Sequence, residues 1–242
     1  TRAQFAALLN EHDYVFVAVG AKRSKVLGIP GETCAGVVGF LEFLERTKHG
    51  ELGLLPKRVA VVGGGNSAID AVRSAKRRMP EGGELMLLYR RTVKEMPASR
   101  EELLELRAEK IRIVELTAPV RVISEGGQLR ALECQQMQLV ASPTGGRPRP
   151  QAIPGSEHQI PLDLLIPAIG QDTELDFLAG LVPIGPGGLV STQAGMATTH
   201  AKVFAGGDVV RGPSSIIQGI ADGRAFASHV LTACALPPPP VV

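Results

Sequence analysis

Arg58-Val59-Ala60-Val61-Val62-Gly63-Gly64-Gly65-Asn66-Ser67-Ala68 is the stretch on which the fold of this chain turns. Val59 to Val62 is apolar without alternation, as expected of a strand buried on both faces of a parallel sheet. Glycines end it, and a helix is expected over Ser67 to Arg78, with Ile69, Val72 and Ala75 on one side and Arg73, Lys76 and Arg77 on the other. Gly63-x-Gly65-x-x-Ala68 between a strand and a helix is the setting a dinucleotide fingerprint requires. Gly63 permits the tight turn, Gly65 lets backbone approach a pyrophosphate, and Ala68 is small enough for close packing of helix on strand. The turn, with Gly64 and Ser67, ends at a helix N-terminus whose N–H groups and positive dipole end suit phosphate charge. Asn66 can serve as the cap of that helix.

Downstream, Leu85 to Leu88 is a second continuous apolar strand ending at Tyr89-Arg90-Arg91. An acid- and leucine-rich helix (Glu101 to Lys110) and a short strand (Ile111 to Val114) follow, and strand, crossover helix, strand at this spacing is the doubly wound α/β pattern. The end of the second strand selects the cofactor. An Asp or Glu there accepts from the ribose 2′-hydroxyl of NADH, whereas arginine meets the 2′-phosphate of NADPH. This chain has Arg90 and Arg91 and no acid before Glu95. The guanidinium fork donates two parallel hydrogen bonds to a phosphate, so NADPH is expected.

Upstream, a helical stripe (Phe5, Leu8, Leu9 within Ala3 to Glu11) precedes the apolar run Tyr14 to Val19, read as another strand buried on both faces and ended by Gly20. Gly28 to Glu32 is a Gly/Pro-rich link, and Val37, Phe40, Leu41 and Leu44 form a helical face that should stop near Gly50. From Pro119 to Gln138 the period becomes two around a Gly126-Gly127 turn, which predicts an antiparallel hairpin forming an arm on the same sheet. Ser142 to Pro150 reads as a loop. Leu164 to Gly170 is an apolar strand ending in Ala168-x-Gly170, an echo of Ala18-Val19-Gly20. Val203 to Ala205 is the last strand, a long helix is expected over Ser214 to Ala233 with Pro213 in its first turn, and Pro237 to Pro240 reads as extended polyproline.

A second glycine constellation lies in this last region. Thr198-Thr199 leads into Val203-Phe204-Ala205-Gly206-Gly207-Asp208, and Gly212-Pro213-Ser214-Ser215 opens the final helix. Gly206 and Gly207 would let backbone approach a cofactor, and Asp208 is placed to accept from ribityl or sugar hydroxyls. The helix end at Ser214 and Ser215 suits the negative charge a flavin gains on reduction. By spacing alone, a strand–turn–helix with a capping Asp accounts for these residues equally well.

Composition sets the outer bounds. Of 242 residues, 44% are hydrophobic and 21% charged, ordinary for a folded chain. Lys plus Arg at 26 against 24 acids leaves +2, with no field for nucleic acid. No run approaches a membrane span, no export signal opens the chain, and a cytoplasmic setting is expected. Cys34, Cys134 and Cys234 have neither CxxC nor metal-ligand spacing, so ordinary thiols and no metal site are expected. Five histidines (His12, His49, His158, His200, His229) are scattered singly, and no catalytic side chain is named.

Together, Val61-Val62-Gly63-Gly64-Gly65-Asn66-Ser67-Ala68-Ile69-Asp70, Tyr89-Arg90-Arg91 with Glu95-Met96-Pro97-Ala98, Pro167-Ala168-Ile169-Gly170-Gln171 and Val203 to Val210 with Gly212-Pro213 resemble the small (beta) subunit of NADPH-dependent glutamate synthase and its relatives, over nearly the whole chain. The resemblance implies a two-dinucleotide-binding-domain flavoprotein. A Rossmann-like doubly wound NADPH domain with an antiparallel β arm (26–165) would be inserted into a partial FAD-binding domain, with an N-terminal remnant (1–25) and a C-terminal part (166–242). The strands ending in Ala18-x-Gly20 and Ala168-x-Gly170 would mark the crossovers. It implies that Asp208 and Val209 contact the flavin's ribityl–phosphate part, that the helix from Ser214 faces the isoalloxazine, and that Arg90 and Arg91 hold the 2′-phosphate. NADPH would reduce FAD, and electrons would pass through an iron–sulfur domain to a partner synthase or other acceptor subunit. The family's first FAD fingerprint and its cysteine clusters lie N-terminal to the residues present, so the chain reads as a fragment in which FAD retention is expected to be weak or nil. Two alternatives stand beside this reading: a dinucleotide-binding module without turnover, and a thioredoxin-reductase-like enzyme, which would need a CxxC.

Overall fold

In the computed structural model, which describes residues 1–142 and 145–237, the apolar runs become strands and the 3.6-period stretches become helices. Pro143 and Thr144 of the expected loop, and Pro238 to Pro240 of the expected polyproline tail, lie outside the described residues. The chain forms two compact units, one of Ser24–Gly170 and one of Thr1–Arg23 with Gln171–Val242. It opens with α1 (Arg2–Glu11) and β1 (Val15–Val17), and passes through the two-residue β2 (Arg23–Ser24) into the Ser24–Gly170 unit.

That unit contains α2 (Phe40–Lys48), β3 (Arg58–Val62), α3 (Asn66–Lys76), β4 (Glu84–Leu88), α4 (Arg100–Ala108), β5 (Arg112–Val114), β6 (Thr117–Glu125), β7 (Gln128–Val140), β8 (Arg149–Ala152), β9 (His158–Pro161) and β10 (Leu164–Pro167). The central sheet has the order β10-β3-β4-β5, all parallel. Successive side chains of a strand point to opposite faces, and here both faces are covered. Val59, Val61, Leu87, Leu164 and Ile166 pack with Phe40, Phe43, Ile69, Val72 and Leu106 of the helices. Ala60, Val62, Met86, Leu88 and Leu165 pack with Val122, Leu129, Leu132 and Cys134 of the antiparallel arm. Hence the unbroken apolar runs: Val59 to Val62, Met86 to Leu88 and Leu164 to Ile166 are buried whichever face they point to.

The arm is larger than a hairpin. β7 pairs antiparallel with β6 and also with β8 and β9, both too short and too polar to be read as strands from the sequence. The expected loop Ser142 to Pro150 therefore ends early, because β8 begins at Arg149. On the helical side, Arg73 is not a plain surface cation. It meets Glu109 at 2.7 Å, Glu105 at 3.2 Å and Glu102 at 3.5 Å, tying α3 to α4.

The other unit continues with β11 (Gln171–Asp172), β12 (Val203–Ala205), α5 (Asp208–Arg211) and α6 (Ile216–Ala233). β1 pairs parallel with β12, and Phe5, Val17, Leu175, Leu178, Val203, Ala205 and Val209 form its core. The run Tyr14 to Val19 is thus corrected: only Val15–Val17 is strand, only Val17 of these is buried, and Val19 is 40% exposed. A strand gains two-sided burial only from neighbours, and among the described residues β1 has β12 alone. α6 begins two residues later than expected, so Pro213 precedes its cap Ser215 instead of lying in the first turn. Phe226 of α6 stacks on Phe16 at 4.5 Å between ring centroids. Among the described residues no helix is long and apolar enough to cross a membrane.

Cys34 is half-buried, Cys134 buried and Cys234 exposed. Burial pushes the Cys134 thiol up to about 12, so at pH 8 only about one part in ten thousand is the reactive thiolate. A Cys34→Ser, Cys234→Ser variant is expected to resist a disulfide-exchange reagent at pH 8 when native and to titrate one thiol in denaturant. Rapid labelling of the native variant would contradict the burial.

Candidate functional site

The turn between β3 and α3 is built by constraints that differ at each glycine. Gly63 has φ +154°, and a Cβ there would strike the Ala168 carbonyl and stand 2.8 Å from the Ala68 Cβ. Its N–H donates to the Leu88 carbonyl at 3.1 Å, fastening the turn to β4. A Cβ on Gly64 would enter the Tyr89 ring, with Cδ2 at 2.7 Å. Both glycines are therefore demanded by the protein's own packing. Gly65 is different: its φ is −92°, and the nearest atom to an added Cβ is Pro97 Cγ at 3.8 Å. Nothing among the described residues requires glycine there.

Gly65, not Asn66, is the N-cap of α3, and no side chain caps the helix. This corrects the expected role of Asn66, which is the first helical residue. Its Oδ1 accepts from the Ser99 N–H at 3.0 Å, steadying the start of α4 instead. Within α3 the first donors are Ala68 and Ile69, both to the Gly65 carbonyl. The N–H groups of Asn66 and Ser67 have no partner inside the helix, the usual condition of a first turn.

These residues border a cleft of about 450 Å³. Its walls include Gly63, Gly64, Gly65 and Ser67 from the turn, Tyr89, Arg90 and Arg91 beyond β4, and Ala168 and Gly170 beyond β10. Ala68 lies beneath, fully buried against Gly63. The C-terminal ends of adjacent parallel strands, with a helix N-terminus between them, are where ligands settle in open α/β sheets. Arg90 is exposed and Arg91 half-buried, with Arg91 Nε donating to the Pro148 carbonyl at 3.0 Å. The turn after β4 is held by Thr92, whose N–H and hydroxyl donate to Glu95 Oε2 at 3.0 and 2.6 Å. The Thr92 hydroxyl keeps the Glu95 carboxyl below its ordinary value.

Two wall residues carry no role in the sequence reading, although Tyr89 stands in the quoted motif. Tyr89 bears on Gly64 and donates from its hydroxyl to the Glu95 carbonyl at 2.9 Å. Arg147, from the segment between β7 and β8, donates from Nη2 to the Tyr89 hydroxyl at 2.9 Å and to the Glu95 carbonyl. Tyr89 could have been singled out as the residue before the two arginines. Arg147 carries no local signal, being 58 residues away along the chain.

The second constellation lies within the other unit. Gly207 has φ +68° and N-caps the short α5. Its N–H donates to Asp222 Oδ2 at 2.5 Å, and Arg211 pairs with the same carboxylate, with Nη2 donating to Oδ1 at 3.0 Å. The guanidinium holds the Asp222 carboxyl below its ordinary value. Asp208 Oδ1 accepts from the N–H and hydroxyl of Ser214 at 3.1 and 3.3 Å. Ser215 caps α6 by accepting from Gln218, and the Val209 side chain is buried in the core. Asp222, which pins the glycine turn, also went unread, because its sequence surroundings are those of an ordinary exposed helix.

Residues 8–223 match the family model described as pyridine nucleotide-disulphide oxidoreductase. The chain belongs to that family. It is 37% identical over 228 residues to the NADP(+)-dependent formate dehydrogenase subunit beta of Moorella thermoacetica, covering 92% of this chain and 32% of that one. With the small chain of NADPH glutamate synthase from Escherichia coli K12 it shares 31% identity over 246 residues, covering 94% of this chain and 52% of that one. The chain thus spans about a third to a half of the length of these two relatives. Mycobacterium tuberculosis FprA, solved in complex with NADPH, superposes with a TM-score of 0.75 at 18% identity, covering 95% of this chain and 66% of that one. The resemblance to glutamate synthase small subunits and the two-dinucleotide-binding flavoprotein fold are therefore as the sequence motifs implied.

Proposed function

We propose that the Ser24–Gly170 unit binds NADPH in the cleft at Gly63–Ala68, within an oxidoreductase that passes a hydride from NADPH to FAD and electrons onward. The observation that carries this reading is Gly65: among the described residues the packing leaves room for a side chain there, and glycine is explained by a pyrophosphate lying against the backbone. Arg90 and Arg91 stand at the strand end that meets the ribose 2′ position. The division of the chain at Ser24 and Gly170 supports reading 26–165 as the NADPH domain, with 1–25 and 166–242 belonging to a FAD-binding domain.

On the flavin side, Gly207 turns backbone toward a ligand without a side chain, and the α6 cap at Ser215 presents first-turn N–H groups. Asp208 holds Ser214 in place beside them. The flavin and nicotinamide supply the redox chemistry when bound, and the chain's residues bind and orient them. No side-chain acid or base is required. The relatives' names as subunits support a partner subunit for this chain, which we read as an electron acceptor or iron–sulfur partner, and glutamate synthesis is one destination among those relatives.

The test has two parts. NADPH oxidation with added FAD and an artificial acceptor is expected to proceed, whereas a binding module without turnover would stay silent. Arg90→Ala, Arg91→Ala is expected to weaken NADPH by at least about 100-fold while NADH changes little, at about 1.5–3 kcal/mol for each charge-assisted bond. Equal loss of both cofactors would remove the 2′-phosphate assignment.

A further inference from the structure

We propose that Arg147 is a third 2′-phosphate ligand, so that the antiparallel arm, and not the dinucleotide sheet alone, selects NADPH over NADH. This rests on the NADPH reading of the cleft.

The first support is charge. Arg90, Arg91 and Arg147 line the cleft, and among the described residues no aspartate or glutamate does. The pyrophosphate common to both cofactors carries about two negative charges, and the 2′-phosphate adds about 1.5 to 2 more at neutral pH. Two arginines balance that addition only if the helix dipole and backbone alone serve the pyrophosphate. A third cation brings the cleft nearer the charge of NADPH and further from that of NADH.

The second support is how Arg147 is held. Arg58, Arg73, Arg121 and Arg211 each pair with a carboxylate in a structural role. The partners of Arg147 among the described residues are neutral oxygens, the Tyr89 hydroxyl and the Glu95 carbonyl, both reached from Nη2. Neutral acceptors orient a guanidinium without cancelling its charge, and the fork retains donors on its other nitrogens. A latch needed only for stability would be better served by a carboxylate.

The third is position. Tyr89 and Glu95 bracket the segment carrying Arg90 and Arg91, so Arg147 is anchored on both sides of the two residues that meet the 2′-phosphate. Arg91 in turn donates to the carbonyl of Pro148, the residue following Arg147. The two arginines are thereby coupled through one short stretch of backbone.

The test is calorimetric titration of Arg147→Ala and Arg147→Lys with NADPH and with NADH, with thermal unfolding recorded for each variant. Arg147→Ala is expected to raise the NADPH Kd about tenfold and leave the NADH Kd within about twofold. Arg147→Lys should recover part of the loss, and the wild-type preference for NADPH should shrink with added salt more than that of Arg147→Ala. Equal loss for both cofactors makes Arg147 a structural latch and overturns the proposal, as does an unchanged NADPH Kd. Wild-type protein that prefers NADH, or binds neither, overturns the NADPH reading itself. A wild-type preference that is undiminished in Arg147→Ala overturns the Arg147 assignment alone.

Discussion

Gly63→Ala is expected to destabilise the Ser24–Gly170 unit by about 2–6 kcal/mol. Holding a non-glycine residue at φ +154° costs about 1–3 kcal/mol. Forcing a methyl group between the Ala168 carbonyl and the Ala68 Cβ adds about 1–3 kcal/mol of overpacking. Against a total stability of about 5–15 kcal/mol, such a loss is severe. The control is Gly126→Ala in the hairpin turn, where φ is +57° and nothing lies within 4 Å of an added Cβ. It should cost only the left-handed penalty, about 1–2 kcal/mol. Denaturant midpoints of the two variants check the contrast, and equal midpoints would show that the close approach at Gly63 is not maintained in solution.

Gly65→Ala should do the reverse. The backbone there is in a region open to any residue, and Pro97 Cγ at 3.8 Å is an ordinary contact. The stability change is limited to the exchange of an N-cap glycine for alanine, on the order of 1 kcal/mol. Yet the methyl group would stand between the backbone and the pyrophosphate, and losing two charge-assisted hydrogen bonds to the phosphates, at about 1.5 kcal/mol each, costs on the order of 100-fold in Kd. NADPH and NADH should therefore weaken together by roughly 100-fold in a protein that unfolds almost as wild type. Unaltered titration curves would remove the turn as a dinucleotide site. The pair of variants separates two reasons for glycine within three residues of one another, the fold at 63 and the ligand at 65.

Most of what could be read without coordinates is local. Val59 to Val62, Leu85 to Leu88 and Leu164 to Ile166 are apolar without alternation because both faces of their sheet are covered, and that pattern survives in the sequence whatever does the covering. The helix α3 announces itself through the 3.6-residue spacing of Ile69, Val72 and Ala75, and α4 through its run of acids and leucines. Where the outcome depended on a distant partner, local reading failed. Asn66 is a sound capping residue by type, but Ser99 offers it a donor from across the unit. The run Tyr14 to Val19 has the composition of a central strand, but its length is set by the three residues of β12 with which it pairs. The strands β8 and β9 are polar enough to pass for loop, and they exist because β7 presents edges to them.

The sequence by itself determined the parallel sheet, the Gly63–Ala68 turn and the arginine pair at the end of β4, because each is written in consecutive residues whose spacing and side-chain type carry the physical requirement. Only the tertiary structure decided that Gly63 and Gly64 answer to Ala168 and Tyr89 while Gly65 answers to no neighbour, and that Arg147 joins Arg90 and Arg91 at one cleft. The reason is the same in each case. A close approach or a shared charge belongs to pairs of residues, here up to about a hundred positions apart, and neither member of such a pair is marked in its own stretch of chain.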